Sequence, residues 1–228
     1  MEELVARFGL PAAAAGQLRA LLELLATDPR APTTVTDPDA ALEAHLADSL
    51  VALDLPVVRE ARMLADLGAG AGFPGLALAA ALPEAQVFLV ESVGRKCAFL
   101  ERALEVAGLA NARVVCERAE TWEAGRDGCD LVTARALAAL PVLAEYAAPL
   151  LRVGGTLVAW KGRSAPGELA DGAAAAAALG LEVGPVLQVT PYPAARDRHL
   201  HVLRKTAPTP AGFPRRPGMA AKRPLRAA

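Results

Sequence analysis

The chain has 228 residues, 24 basic against 25 acidic side chains for a net charge of −1, and 54% hydrophobic residues. That composition supports one domain of ordinary size with an ample core and excludes a disordered polymer. No apolar run reaches the ~18 residues that cross a bilayer, and the acidic start "MEELVARFGL" lacks the basic region of a secretory signal, so no membrane association and a cytoplasmic location are expected. Cys97, Cys116 and Cys129 form no C-x-x-C pair and read as reduced, mostly buried thiols; no metal site is expected.

The overall charge hides an asymmetry. From Arg196 to the end there are nine basic residues against Asp197 alone, a balance of +8, which leaves −9 on residues 1–195. Positive charge gathered at one end suggests an attached site for a polyanion.

In chain order, residues 12–27 read as a helix with Leu18, Leu21, Leu22 and Leu25 on one stripe. A breaker-rich connection ends at Asp37-Pro38, a cap followed by a first-turn proline, and Leu42, Leu46, Leu50 and Leu53 mark the buried face of the next helix. From residue 62 short apolar runs alternate with helical stretches. "RMLADLG", "AQVFLVES", "ARVVCERAE", "CDLVTARA", "GTLVAWKG", "LEVGPVLQV" and "RHLHVLRK" predict seven strands, with helices over 76–82, 95–107, 137–151 and 165–179. Such alternation predicts an α/β, Rossmann-like architecture: a seven-stranded, mostly parallel sheet with helices on both faces and an antiparallel partner at one edge. The expected divisions are an N-terminal helical extension over 1–56, the sheet domain over 57–206, and an extended, proline-rich basic arm over 207–228 with no core to support.

The stretch "ADLGAGAGFPG" turns sharply after the first strand through Gly68, Gly70 and Gly72, and Pro74 opens the next helix. Glu91 ends the second strand, placed to accept the two ribose hydroxyls of a nucleotide. A dinucleotide and S-adenosylmethionine both fit that pattern. Asp66, at the end of the first strand, would repel a pyrophosphate but attracts a sulfonium and an ammonium, unit charges worth ~1–4 kcal/mol at contact. Neither tyrosine opens a Tyr-x-x-x-Lys pair for hydride transfer: Leu150 stands four residues after Tyr146 and Arg196 four after Tyr192. S-adenosylmethionine is the expected cofactor.

"HLADSL" at 45–50, "DLGAGAGFPG" at 66–75, "RAE" at 118–120, "TARAL" at 133–137, "WKG" at 160–162 and the terminal "FPRRPGMAAKRPL" occur in one order. Together they resemble the glucose-inhibited division protein B family, RsmG-type enzymes of the class I methyltransferase fold that methylate a guanine at N7 in small-subunit (16S) ribosomal RNA. The resemblance spans residues 31–225. It implies cofactor contacts from Gly68, Phe73, Ala119, Glu120 and Arg135, beside Asp66, Gly70 and Glu91 from the residues themselves. The sequence departs from the family at Ala31, Thr36 and Ala44, on the side expected to face RNA.

The chemistry is compatible. Exocyclic amine methylation uses an Asn/Asp-Pro-Pro-aromatic motif after the fourth strand, where this chain has "TARAL", and no cysteine follows a proline as pyrimidine-C5 chemistry requires. Guanine N7 offers an in-plane lone pair and needs neither base nor covalent nucleophile. Arg135, which could hold the methionine carboxylate or the guanine O6 edge, and His45 and Asp48, on one helix face with Ser49, are the candidate catalytic or base-positioning residues. Lys161, Arg215, Arg216, Lys222 and Arg223 are the candidate RNA contacts, with small-subunit RNA or a ribosomal particle as partner and no obligate protein partner evident. A small-molecule methyltransferase with a basic tail and a non-catalytic nucleotide-binding module stay open at this point.

Overall fold

The computed structural model describes residues 1–227. All seven apolar runs form strands: β1 (Met63–Leu67), β2 (Gln86–Val90), β3 (Ala112–Val115), β4 (Cys129–Arg135), β5 (Leu151–Lys161), β6 (Leu181–Gln188) and β7 (His199–Lys205). They make one sheet in the order β3-β2-β1-β4-β5-β7-β6. Strands β1 to β5 pair in parallel, and β7 runs antiparallel to both β5 and β6.

The antiparallel strand is therefore not at the edge, as expected, but inside it. The reason lies in β6, where Gly184 and Pro185 interrupt the pairing register between Val183 and Val186. A proline cannot donate to a ladder on that side, so β6 suits the rim, and β7, with Leu200 and Leu203 fully buried, takes the interior place.

Alternation along the strands sends residues to two cores. On one face Leu64, Val87, Leu89, Leu131, Val158 and Leu200 meet the N-terminal helices α1 (Glu2–Phe8) and α2 (Ala14–Thr27), together with α6 (Gly75–Ala81) and α7 (Gly94–Ala107). On the other face Ala65, Phe88, Val132, Leu157 and Leu203 meet α8 (Leu140–Ala147) and α9 (Glu168–Ala178). No described helix is long and apolar enough to cross a membrane.

Between α2 and the sheet, Asp37 caps α3 (Pro38–Ala41), its side chain accepting from the Ala40 N–H at 2.9 Å. The chain then widens into a π-helical turn, Leu42–Ala47, before α4 (Asp48–Leu50) and α5 (Pro56–Arg59). Such turns cluster at functional sites, and this one carries His45 and adjoins Asp48.

Two expectations are corrected. Cys97 and Cys116 form a disulfide, because parallel pairing of β2 and β3 brings the residue after β3 beside the first turn of α7; Cys129 alone is free, its thiol pushed up to about 12 by burial. The C-terminal segment is also not an unsupported arm. Phe213 and Leu225 pack on the second core, α10 (Met219–Lys222) touches α8, and Arg215 forms an ion pair with Glu145, which is 1% exposed. The proline breaks that forbid a long helix fold the segment back onto α8 instead.

Candidate active site

The turn after β1 is fastened to β2. The N–H groups of Gly68 and Ala69 both donate to the Val90 carbonyl, at 2.8 and 3.1 Å. Gly68 sits at φ +65°, a left-handed conformation that favours glycine, and a Cβ there would crowd the end of the Leu137 side chain at 2.5 Å. Glu91 closes the other side: its carboxylate accepts from Gly70 N–H at 3.1 Å and Val93 N–H at 2.9 Å, with Lys96 Nζ at 3.8 Å. Gly68, Glu91 and Lys96 line a cavity of 400 Å³ with Ala119, Glu120 and Tyr146, a size suited to a nucleoside-sized ligand.

Asp66 does not open on that cavity. It is 1% exposed, accepts from the Thr133 hydroxyl at 2.8 Å and the Gly75 N–H at 3.0 Å, and burial pushes its carboxyl up to about 6 against those two bonds. Its visible work is to tie β1, β4 and the start of α6 into one unit; a Cβ on Gly75 would press on Asp66 Oδ2 at 2.8 Å.

A second cavity, of 420 Å³, opens across the end of β4. It is lined by Ala44, His45, Asp48, Arg135, Trp160, Lys161, Arg163, Arg198 and His199, and it shares Ala136 with the first. Ala136 adopts φ +54°, a left-handed conformation that a non-glycine residue holds only where its surroundings enforce it. The strained residue is the wall between the two cavities.

Arg135 organises the second cavity. Its Nη1 donates to Asp48 Oδ2 at 2.7 Å and to the Ala44 carbonyl at 2.9 Å, and Nη2 lies 3.4 Å from His45 Nδ1. The Trp160 indole N–H donates to the Asp48 carbonyl at 2.7 Å. His45 stacks on Phe73, with centroids 5.0 Å apart and planes 11° from parallel. Burial, then the adjacent Arg135 charge, pulls the His45 pKa down to about 4, so the ring is neutral; Nδ1 then accepts from Arg135 and Nε2–H donates to Thr33 Oγ1 at 3.1 Å.

Among the residues singled out from the sequence, Gly68, Glu91, Ala119 and Glu120 meet in the first cavity, and His45, Asp48, Arg135 and Lys161 meet in the second. Phe73 lies in the core against His45, Asp66 is sealed, and Gly70 reaches the first cavity through its N–H on Glu91. Lys161 is anchored on Glu168 Oε1 at 2.6 Å. Burial alone would raise the Glu168 carboxyl, but Lys161 and the Leu140 and Ala165 N–H groups outweigh it and lower its pKa. Arg215 is engaged by Glu145, through Nε at 2.9 Å, while Arg216, Lys222 and Arg223 are exposed. Glu120 is tied to the C-terminal segment, accepting from Gly218 N–H at 2.9 Å. Sequence reasoning did not assign Lys96, Ala136, Tyr146, Trp160 or Arg198 to the site; Ala136 and Trp160 lay within the quoted "TARAL" and "WKG", while Lys96 and Arg198 carry no local signal.

A parallel sheet with a reversed penultimate strand, a glycine turn after β1 and a ribose-type carboxylate after β2 is the architecture of S-adenosylmethionine-dependent methyltransferases. A solved S-adenosylmethionine-dependent methyltransferase from Aquifex aeolicus superposes with a TM-score of 0.58 over 73% of this chain and 93% of that one, at 16% identity, a likeness of fold. The family model GidB, rRNA small subunit methyltransferase G, matches residues 17–200. Ribosomal RNA small subunit methyltransferase G of Rubrobacter xylanophilus is 45% identical over 83% of this chain and 75% of its own. That of Chloroflexus aggregans is 43% identical over 85% and 82%. The chain belongs to the GidB family of ribosomal RNA small subunit methyltransferases.

Proposed function

We propose that the protein transfers a methyl group from S-adenosylmethionine to N7 of a guanine in 16S ribosomal RNA, in the cytoplasm where ribosomal particles assemble. Two cavities at the carboxyl ends of the strands, sharing Ala136, carry this reading: one holds a ribose-type carboxylate and the other is rimmed by Arg135, Lys161, Arg163 and Arg198.

The first cavity fits the cofactor. Glu91 is already fixed by two backbone donors and keeps acceptor capacity for both ribose hydroxyls, Gly68 lets the ligand lie against bare backbone, and Ala119 and Glu120 flank the base. Bound there, S-adenosylmethionine would supply a methyl on a cationic sulfur, a leaving group that would keep the carbon–sulfur electron pair when the N7 lone pair takes the methyl. No proton leaves N7, so alignment is the protein's main task. Arg135 holds the Ala44–Asp48 segment as one wall of the base cavity, and neutral His45, packed on Phe73, adds no competing positive charge beside the reacting atoms. Arg216, Lys222 and Arg223 supply phosphate contacts.

The test is transfer of labelled methyl from S-adenosylmethionine to small-subunit particles, followed by strand cleavage specific for 7-methylguanine. A single labelled cleavage site is expected; label incorporated without cleavage would overturn the N7 assignment.

A further inference from the structure

Asp48 is more than a partner for Arg135. Its Oδ2 receives Arg135, but Oδ1 is buried and accepts no hydrogen bond among the described residues. Arg198 Nε forms an ion pair with that oxygen at 3.4 Å, outside hydrogen-bonding geometry, and is itself a buried donor without an acceptor. Both groups line the Arg135 cavity. The ion pair balances charge but leaves both buried atoms without a hydrogen bond, an expensive arrangement that a ligand donating to Asp48 and accepting from Arg198 would relieve.

We infer that Asp48 and Arg198 read the Watson–Crick edge of the target base, and that Asp48 is the residue selecting guanine. The inference rests on the guanine-N7 reading and adds its specificity determinant. Guanine presents an acceptor, O6, followed by two donors, N1–H and the 2-amino group. Arg198 Nε–H matches O6, and the Asp48 carboxylate, which has lone pairs left after Arg135, matches both donors. N7 lies on the adjacent Hoogsteen edge, beside O6, so contacts to N1–H and the 2-amino group leave it free to receive the methyl. Adenine places an acceptor, N1, against the carboxylate. Cytosine does the same with N3, and uracil sets O2 against it after a matching N3–H. Each wrong base leaves a buried charge facing a lone pair, which discriminates by repulsion as well as by lost bonds.

The experiment compares single-turnover methyl transfer to reconstituted small-subunit particles carrying guanosine or inosine at the target nucleotide. Inosine keeps N7, O6 and N1–H but lacks the 2-amino group. The wild-type protein is expected to lose about 10- to 100-fold in rate on inosine, the worth of one charge-assisted hydrogen bond. Asp48→Asn, which offers a donor in place of one acceptor, is expected to be slow on guanosine and to show a guanosine-to-inosine ratio near one, with unchanged S-adenosylmethionine affinity as its control for folding. Equal wild-type rates on the two particles overturn the assignment whatever the variant does. A ratio in Asp48→Asn as large as the wild-type ratio overturns it too, leaving Asp48 a support for Arg135. Absence of N7 methylation on the guanosine particle would instead strike the parent reading.

Discussion

The two cavities of this protein are built by opposite means. The cofactor cavity is assembled from short continuous stretches, chiefly 67–68, 90–96 and 117–120, each hung on the end of a neighbouring parallel strand. The base cavity draws on places far apart in the chain, the π-helical turn with Asp48, the end of β4, residues 160–163 and residues 198–199, joined by Arg135 and Trp160. On the proposed reading, a ligand shared by a whole class of enzymes falls to a local backbone turn, and the partner that distinguishes one enzyme from another falls to side chains that only the finished fold brings together.

The contrast can be broken from the cofactor side first. Its cavity leans on the C-terminal segment through Glu120 and through α8, so it is less local than its motif. Arg215→Ala would strand the buried Glu145 carboxylate and is expected to lower stability by about 3–5 kcal/mol, while exposed Arg216→Ala stays within about 0.5 kcal/mol. Urea denaturation of the two variants checks this, and equal stabilities would return the segment to the status of a loose tail. Truncation after Thr206 is likewise expected to weaken S-adenosylmethionine binding, which an unsupported arm would leave intact.

Glu91→Ala comes next. Glu91 as the ribose acceptor predicts that losing its charge-assisted bonds, worth ~1.5–3 kcal/mol, will lower S-adenosylmethionine affinity roughly 10- to 100-fold by calorimetry, and an unchanged affinity would remove Glu91 from the cofactor site. NADH titrated in parallel should show no saturable binding.

Smaller still is the contribution of the exposed cations. Replacing Arg216, Lys222 and Arg223 together by Gln should flatten the salt dependence of particle binding by about 0.7–0.9 log units for every phosphate these side chains neutralise, with cofactor affinity intact. An unchanged slope would place the RNA elsewhere on the surface.

The finest probe is pH. His45 has a folded pKa of about 4 against an ordinary value of 6.5, so between those values the unfolded chain binds the extra proton and His45 adds stability as pH rises. Asp66, raised from 3.8 to about 6, acts in the opposite sense over an overlapping window. His45→Gln therefore removes the rising component, and its stability measured from pH 4 to 6.5 should climb less than the wild type's. A parallel pair of curves would mean that His45 titrates freely.

The sheet was legible because β1 to β5 and β7 each combine an apolar run with a following turn, and the parallel order follows from helical crossovers. The cofactor cavity was legible because Gly68 and Glu91 sit at fixed offsets from strand ends. The interior place of β7 depends on Pro185 in β6, a rim signal that reads only once pairing is known. Asp66 looked like a cofactor contact because a strand-end carboxylate says nothing of Thr133, 67 residues away, which seals it. The Cys97–Cys116 pair, the Arg215–Glu145 pair and the orphan atoms of Asp48 and Arg198 are long-range contacts with no local periodicity to announce them.

The central claim is that Glu91 serves the cofactor and Arg135 the base, although both stand at strand ends and the family resemblance gives Arg135 to the cofactor. The most direct test is Arg135→Lys, which keeps the charge but not the fork that spans Ala44, Asp48 and His45. With calorimetry and single-turnover transfer on one preparation, the account predicts wild-type S-adenosylmethionine affinity and a methyl-transfer rate reduced about 10- to 100-fold at saturating cofactor. A fall in cofactor affinity as large as that of Glu91→Ala, with the saturated rate intact, would contradict it and move Arg135 into the cofactor site.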